Sequence, residues 1–350
     1  MEQAVRLRVS MLFISITQAW QVRLMVLKIV ISLTISMALR TKTVKGKKYY
    51  YLDLSYFIAN KAKTFSKYIG AERPSKEELT KIERSFKSGI ISKLSGKDYT
   101  NDSISKDDLI KALLFKDAFN KKFASLSGVQ KRKHEADSTI LFTLTTLTTE
   151  DVDVSISDVK QAFEKENQLS MREQISKNML KAVESIKEKH ALDKEYLLEL
   201  HKTIMASFEG KNPGKIRKQQ VYLQMHDSKN PLGKEIAYRP PHYSKINELL
   251  DEFTEWYNST KLNPIEKAAL AHYKFYKIHP FLDGNKRISR LIFNKTLLDE
   301  EFPLLNISAK KEHYFQTLID SVEKDLPKKL AEFTLKEFLR QTKEFLKAKK

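Results

Sequence analysis

The sequence predicts a mainly α protein: a helical bundle carrying an inserted β-hairpin, preceded by a helical N-terminal region with a short β-hairpin of its own. Three observations predict it. Capping-box signals recur along the chain, at Ser75-x-x-Glu78, Ser105-x-x-Asp108, Thr148-x-x-Asp151, Ser170-x-x-Glu173 and Thr334-x-x-Glu337. β-prone residues are confined to two stretches, 41–58 and about 215–238. No internal repeat or low-complexity linker breaks the helical pattern between and after them.

The first forty residues form an apolar extension in which Arg23 and Lys28 are the only charges between Met11 and Ser36. A cation near a helix centre costs about 2.5–3.5 kcal/mol on insertion, so a membrane span is not expected. Neither uncharged half reaches the roughly 20 residues that a span needs. The expectation is a working protein that begins at Met37, which intact mass of the native protein would test. Residues 41–58 read as two strands, Val44 and Tyr49 to Leu54 flanking a Lys45-Gly46-Lys47 turn. Helices are expected from about 60 onward, giving an N-terminal part (41–135) and a catalytic part (136–350), with a soft boundary near Gly128 to His134. Within the second part, Lys215 to Leu223, Asp227 to Leu232 and Ile236 to Tyr238 read as strand, turn, strand. An exposed edge there could add a strand from a bound peptide. Asn263-Pro264 before Glu266 starts a further helix, with Pro in its first position.

With 41% hydrophobic and 10% aromatic residues, 350 residues suffice for a real core. The absence of cysteine excludes disulfides, thiolate zinc and a cysteine nucleophile, and makes the cytoplasm the default compartment. The net charge of +19 raises nucleic acid as a partner. The cations are spread along the chain, and the clusters Lys131-Arg132-Lys133, Lys215 to Lys218 and Lys347 to Lys350 are short. With no interleaved aromatic array in the sequence, a lysine-rich solvated surface is the favoured reading.

Chemistry concentrates in His279-Pro280-Phe281-Leu282-Asp283-Gly284-Asn285-Lys286-Arg287-Ile288-Ser289-Arg290. Ala268, Ala269, His272, Phe275 and Tyr276 fall on helical spacings just before it, and Pro280 ends that helix. A new helix from Asn285, with Gly284 leading in, directs free N–H groups into the loop and forms an anion site. Arg287 and Arg290 add planar donor forks for phosphate oxygens. Asp283 beside phosphates suits Mg²⁺, and His279 suits proton abstraction near neutral pH. Taken singly, each has a bland alternative as a cap or a solvated charge; the ordered set points to a bound nucleoside triphosphate.

This run resembles the signature of the Fic family, His-Pro-Phe-x-(Asp/Glu)-Gly-Asn-(Gly/Lys)-Arg-x-x-Arg, at every position. The preceding Ala271-His272-x-x-Phe275-x-x-Ile278 is similar too. Pro213-Gly214-Lys215-Ile216-Arg217 with Val221-Tyr222 resembles the start of the family's flap hairpin, and Tyr238-x-Pro240-Pro241 its end. The likeness covers roughly 136–345. It implies a Fic fold and transfer of AMP from ATP to a Ser, Thr or Tyr hydroxyl of a target protein. By position it makes His279 the base and Asp283 the Mg²⁺ ligand. Gly284, Asn285 and Lys286 become the anion hole, with the Asn285 side chain on the α-phosphate, and Arg287 and Arg290 hold the outer phosphates. Gln220, Val221, Tyr222 and Leu223 become the flap that pins the target.

Two departures qualify the resemblance. Lys286 replaces a frequent Gly and is shared with the Doc-toxin branch, whose members phosphorylate their targets. That branch lacks the second arginine, so Arg290 ranks AMP transfer first and kinase activity second. Many family members also carry an inhibitory helix, (Ser/Thr)-x-x-x-Glu-(Gly/Asn), whose Glu pairs with the second arginine. Aligned on Leu147 to Val152, that pattern places Thr139 and Thr143 at the Ser/Thr and Glu positions; Glu166-Asn167 has Ala162 four residues earlier. The expectation is therefore that no intramolecular glutamate restrains Arg290, leaving restraint to a regulatory partner or a homodimer. A non-catalytic basic adaptor for nucleic acid or protein is the alternative outside enzymology.

Overall fold

The computed structural model describes residues 35–58, 61–100, 103–226, 234–307, 314, 317, 318, 321, 322, 324, 325 and 327–348. The apolar extension therefore lies, but for its last residues, outside the described residues. The chain divides into two compact units, the first ending at Lys93 and the second beginning at Leu94.

The first unit holds an antiparallel sheet of three strands in the order β1 (Ile35–Val44), β2 (Lys47–Ile58) and β3 (Lys61–Gly70). Lys45 and Gly46 turn the first hairpin, both with positive φ (50° and 78°), as the tightest hairpin turns require. The third strand corrects the expectation of helix from residue 60. Its lysine-rich composition hides the signal, but Ala62, Thr64, Ser66 and Tyr68 alternate with Lys61, Lys63, Phe65 and Lys67. Pairing with β2 decides such a segment more than propensity does. Helix α1 (Lys76–Ser95) follows, and its Ser75 cap forms as predicted: the Glu78 N–H donates to Ser75 Oγ at 3.2 Å.

The second unit is helical: α2 (Lys106–Ala124), α3 (Gly128–Thr148), α4 (Ile156–Glu164), α5 (Met171–Lys187), α6 (Lys194–Met205), α7 (Ile246–Ser259), α8 (Pro264–Ile278), α9 (Asn285–Asp299) and α10 (Pro327–Lys347). Ser105, Ser170 and Asn263 cap their helices as the spacing predicts. Thr148 and Thr334 do not. Thr148 is the last residue of α3, and the start signal belongs to Ser155 and Asp158, which cap α4. Thr334 lies inside α10, its hydroxyl donating to the Leu330 carbonyl at 2.8 Å.

The core of this unit joins α3, α5, α6, α7, α8 and α9 through Phe142, Met179, Val183, Leu200, Phe253, Phe275 and Leu291, among others. Helix α9 runs through it, so even its polar residues Arg287, Ser289, Arg290, Asn294 and Lys295 are buried. A two-stranded hairpin, β4 (Leu223–His226) and β5 (Lys234–Tyr238), pairs Leu223 with Tyr238 and His226 with Lys234. It is shorter than predicted. Residues 215–222 are irregular, the Arg217 N–H donating to the Pro280 carbonyl instead of to a neighbouring strand, and the expected turn, 227–232, lies outside the described residues.

Candidate active site

The site forms where α8 ends and α9 begins. Asn263 starts α8 by accepting from the Glu266 N–H, and the buried face of the helix carries Ala268, Ala269, His272, Phe275 and Tyr276 inward. His279 ends it in the left-handed conformation (φ 51°, ψ 59°), its N–H donating to the Phe275 carbonyl. That conformation is uncommon for a residue with a side chain and ends the helix there.

His279 is buried, with Nδ1 3.3 Å from the Tyr276 carbonyl. A carbonyl only accepts, so the proton sits on Nδ1 and Nε2 carries the lone pair. Burial pushes the imidazole down to about 4, aided by the charges of Arg217 and Lys286 and opposed by the Tyr276 carbonyl and Asp283. It is therefore a neutral base at physiological pH.

The loop is held from both sides. Asn285 clamps it internally: its Oδ1 accepts from the Phe281 N–H at 2.9 Å and its Nδ2 donates to the Phe281 carbonyl at 2.8 Å. Arg217, nearly fully buried, donates from Nε to the His279 carbonyl (2.8 Å), from Nη1 to Gln219 (2.9 Å) and from Nη2 to Pro241 (2.6 Å). Its N–H reaches the Pro280 carbonyl at 2.9 Å. One side chain thus ties both bases of the hairpin to the residue that bears the imidazole.

His201 of α6, unremarked in the sequence, does the same from below. Its Nδ1 accepts from the Gly214 N–H (2.9 Å), which puts its own proton on Nε2, 3.1 Å from the Asp283 carbonyl. Its ring stacks on Phe281 at 3.6 Å and 1°. Spacing along α6 gives no hint of this; only the tertiary contact does.

Gly284 caps α9 at φ +79°, and a Cβ there would stand 2.9 Å from Met205 Sδ. Asp283 Oδ1 accepts from the Gly284 N–H at 2.6 Å and from Arg287 Nη2 at 3.1 Å, while Lys211 Nζ lies 3.6 Å from Oδ2. Burial would raise its carboxyl, but Arg287, the Gly284 amide and Lys211 outweigh this and hold it below the usual range. Lys286 is half-buried beside these groups.

Arg287 and Arg290 are both almost wholly buried. Arg290 Nη2 meets the Ile307 carbonyl at 3.3 Å and its guanidinium faces the Tyr314 ring, yet among the described residues its Nε and Nη1 have no partner, nor has Arg287 Nη1. Buried guanidinium donors left open in one place are what an anion with several oxygens would satisfy.

Beside them stands Glu150, which pairs with Arg287; the expectation was that no glutamate restrains Arg290, and the bond here is to the other arginine. Glu150 follows the C-terminal end of α3, and its Oε2 lies 3.3 Å from Arg287 Nε, with Oε1 buried and without a partner among the described residues. Burial raises its carboxyl, opposed by Arg287, Lys286 and Arg290. The sequence signal was present in another register: Thr146-x-x-x-Glu150 followed by Asp151. Asp151 takes the positive φ (58°) that the pattern usually gives to Gly or Asn, which is what concealed the match.

On the hairpin side, Gln220 donates from Nε2 to Val221 and Pro240 carbonyls, Val221 and Leu223 are half-buried, and Tyr222 is exposed beneath the Arg239 guanidinium. No cluster of three or more His, Asp or Glu able to hold a metal occurs among the described residues, and Asp283 is the one predicted carboxylate at this site. No helix among them is long and apolar enough to cross a membrane.

Residues 191–297 match the sequence profile of the Fic/DOC family. Over 133 residues the chain is 33% identical to a protein adenylyltransferase, fic-1, of Caenorhabditis briggsae, covering 37% of this chain and 24% of that protein. Over 134 residues it is 34% identical to the protein adenylyltransferase Fic of Drosophila willistoni, again covering 37% and 24%. The chain thus spans about a quarter of the length of these curated relatives. Among solved structures, a Fic family protein from Desulfovibrio desulfuricans superposes with TM-score 0.58 at 18% identity, covering 71% of this chain and 76% of that one. Fic-1 of C. elegans superposes with TM-score 0.55 at 20% identity, covering 79% and 78%. These two likenesses establish the fold.

Proposed function

Because residues 191–297 of this chain are a Fic domain, we propose that the protein is an adenylyltransferase that moves AMP from ATP to a Ser, Thr or Tyr hydroxyl of a target protein. The observation that carries this reading is a neutral, buried His279 at the end of α8 together with open guanidinium donors on Arg287 and Arg290 in the first turns of α9. His279 Nε2 takes the hydroxyl proton as the oxygen attacks the α-phosphorus and pyrophosphate leaves. The α9 N-terminus with Gly284, Asn285 and Lys286 steadies the α-phosphate charge, and the two arginines hold the outer phosphates. The Asn285 amide is engaged with Phe281, so it contributes by shaping the loop unless ATP displaces those bonds. Gln220 to Leu223 is assigned to target binding, the half-tied backbone beside the hairpin being suited to an extended segment.

Mg²⁺ fits this donor set. Asp283 is partly exposed and ionised, and Mg²⁺ in such sites takes one or two carboxylates with phosphate oxygens and water. When bound it would neutralise phosphate charge. We assign residues 136–350 to the catalytic domain and, with no cysteine in the chain, the protein to the cytoplasm.

Glu150 belongs to the same reading as a restraint. It occupies an Arg287 donor and adds negative charge where a phosphate would sit. The testing experiment is incubation with ATP labelled on the α- or the γ-phosphate. Label passing to protein from the α position supports adenylylation, label from γ supports the kinase activity that Lys286 suggests, and neither refutes both.

A further inference from the structure

We propose that the open face of the β1–β2–β3 sheet binds single-stranded nucleic acid. The sequence contains no aromatic array, but strand register builds one. Arg40, Tyr51 and Tyr68 form one cross-strand row, Lys42 and Tyr49 the next, and Val44 and Lys47 close the hairpin end. These residues alternate with Leu52, Leu54 and Tyr56, which are fully buried on the opposite face. The three tyrosine rings lie together, Tyr68 5.4 Å from Tyr51 and 6.3 Å from Tyr49, and Tyr68 is 53% exposed. The Arg40 guanidinium sits 4.6 Å over Tyr51.

Charge points the same way. Between residues 35 and 93 there are 14 Lys and Arg against five Asp and Glu. Among the described residues the one acid on the open face, Asp53, is matched by Arg40 Nε at 2.7 Å and accepts from Ser66 Oγ at 2.6 Å. Lys42, Lys45 and Lys47 crowd the hairpin end, with no acid on that face beside them among the described residues. Exposed rings beside unmatched cations suit a chain of bases on phosphates: every base has a face to stack, and each phosphate takes a cation. An anionic lipid surface or an acidic peptide would use the cations and leave the rings without a role.

The test is fluorescence anisotropy of the full chain with labelled twelve-nucleotide thymidine and uridine oligomers. Binding is expected to weaken between 50 and 200 mM salt, with a logarithmic slope of about −2 if roughly three phosphates are neutralised. Tyr68→Ala should weaken it about fivefold or more, Lys42→Glu with Lys47→Glu should nearly abolish it, and Tyr68→Phe should preserve it. His279→Ala should bind unchanged, which separates this surface from the site above. The proposal is overturned if neither oligomer binds, if Tyr68→Ala binds as well as the unaltered chain, if an abasic twelve-mer binds equally, or if phosphatidylserine vesicles or polyglutamate bind more tightly than either oligomer.

Discussion

Glu150 Oε2 lies 3.3 Å from Nε of Arg287, joining the end of α3 to the first turn of α9. Arg287 also donates to Asp283, so one guanidinium is shared between two carboxylates. Removing Glu150 leaves Arg287 paired with Asp283 and frees its Nε.

Glu150→Gly should therefore raise AMP transfer, by at least about tenfold if the displaced contact is a charge-assisted bond of roughly 1.5–3 kcal/mol. Transfer from α-labelled ATP measures it directly. Glu150→Asp, which keeps the charge on a shorter arm, should fall between the two.

His279→Ala should lower transfer by about 10²–10⁴-fold, the usual span for a general base. The pH profile adds a sharper check. Because the imidazole is held down at about 4, the base is already deprotonated well below neutrality, and transfer should stay level from about pH 7 to pH 5.5. A half-maximum near 6.5 would show an unperturbed histidine instead.

Three buried histidines should make the fold acid-sensitive. Burial holds His201 and His279 at about 4 and His272 at about 3, whereas the unfolded chain takes up protons near 6.5. The unfolded state thus binds more protons below that value. Their contribution is fully present above about pH 6.5 and is lost toward pH 4, at about 1.4 kcal/mol per pH unit for each. Thermal melts across that window should show Tm falling with pH, and His201→Phe, which keeps the stack on Phe281, should flatten the decline.

Arg217→Met should destabilise by about 3 kcal/mol or more, since it leaves the His279, Gln219 and Pro241 carbonyls short of a donor. Denaturant titration reads that loss. As a positioning residue, Arg217 should also influence kcat more than the KM for ATP when replaced by Lys, which keeps the charge but not the three-way fork.

The sequence made the signature loop legible because its residues are contiguous, and the N-caps at Ser75, Ser105, Ser170 and Asn263 formed because they are local. What depends on tertiary contact escaped it. Strand β3 was hidden by lysines that only pairing with Tyr51 to Ile58 makes into a sheet. His201 and Arg217 act through backbone carbonyls, which spacing does not reveal. Glu150 was present in the text, but an Asp at the following position with positive φ disguised the register.

The most direct measurement is label transfer from α-labelled ATP in the unaltered chain, in Glu150→Gly and in Glu150→Gly with His279→Ala, using self-modification as the readout. The expected result is weak label in the first, strong label in the second and none above background in the third. Equal labelling of the second and third, or transfer only from the γ-phosphate, would contradict it.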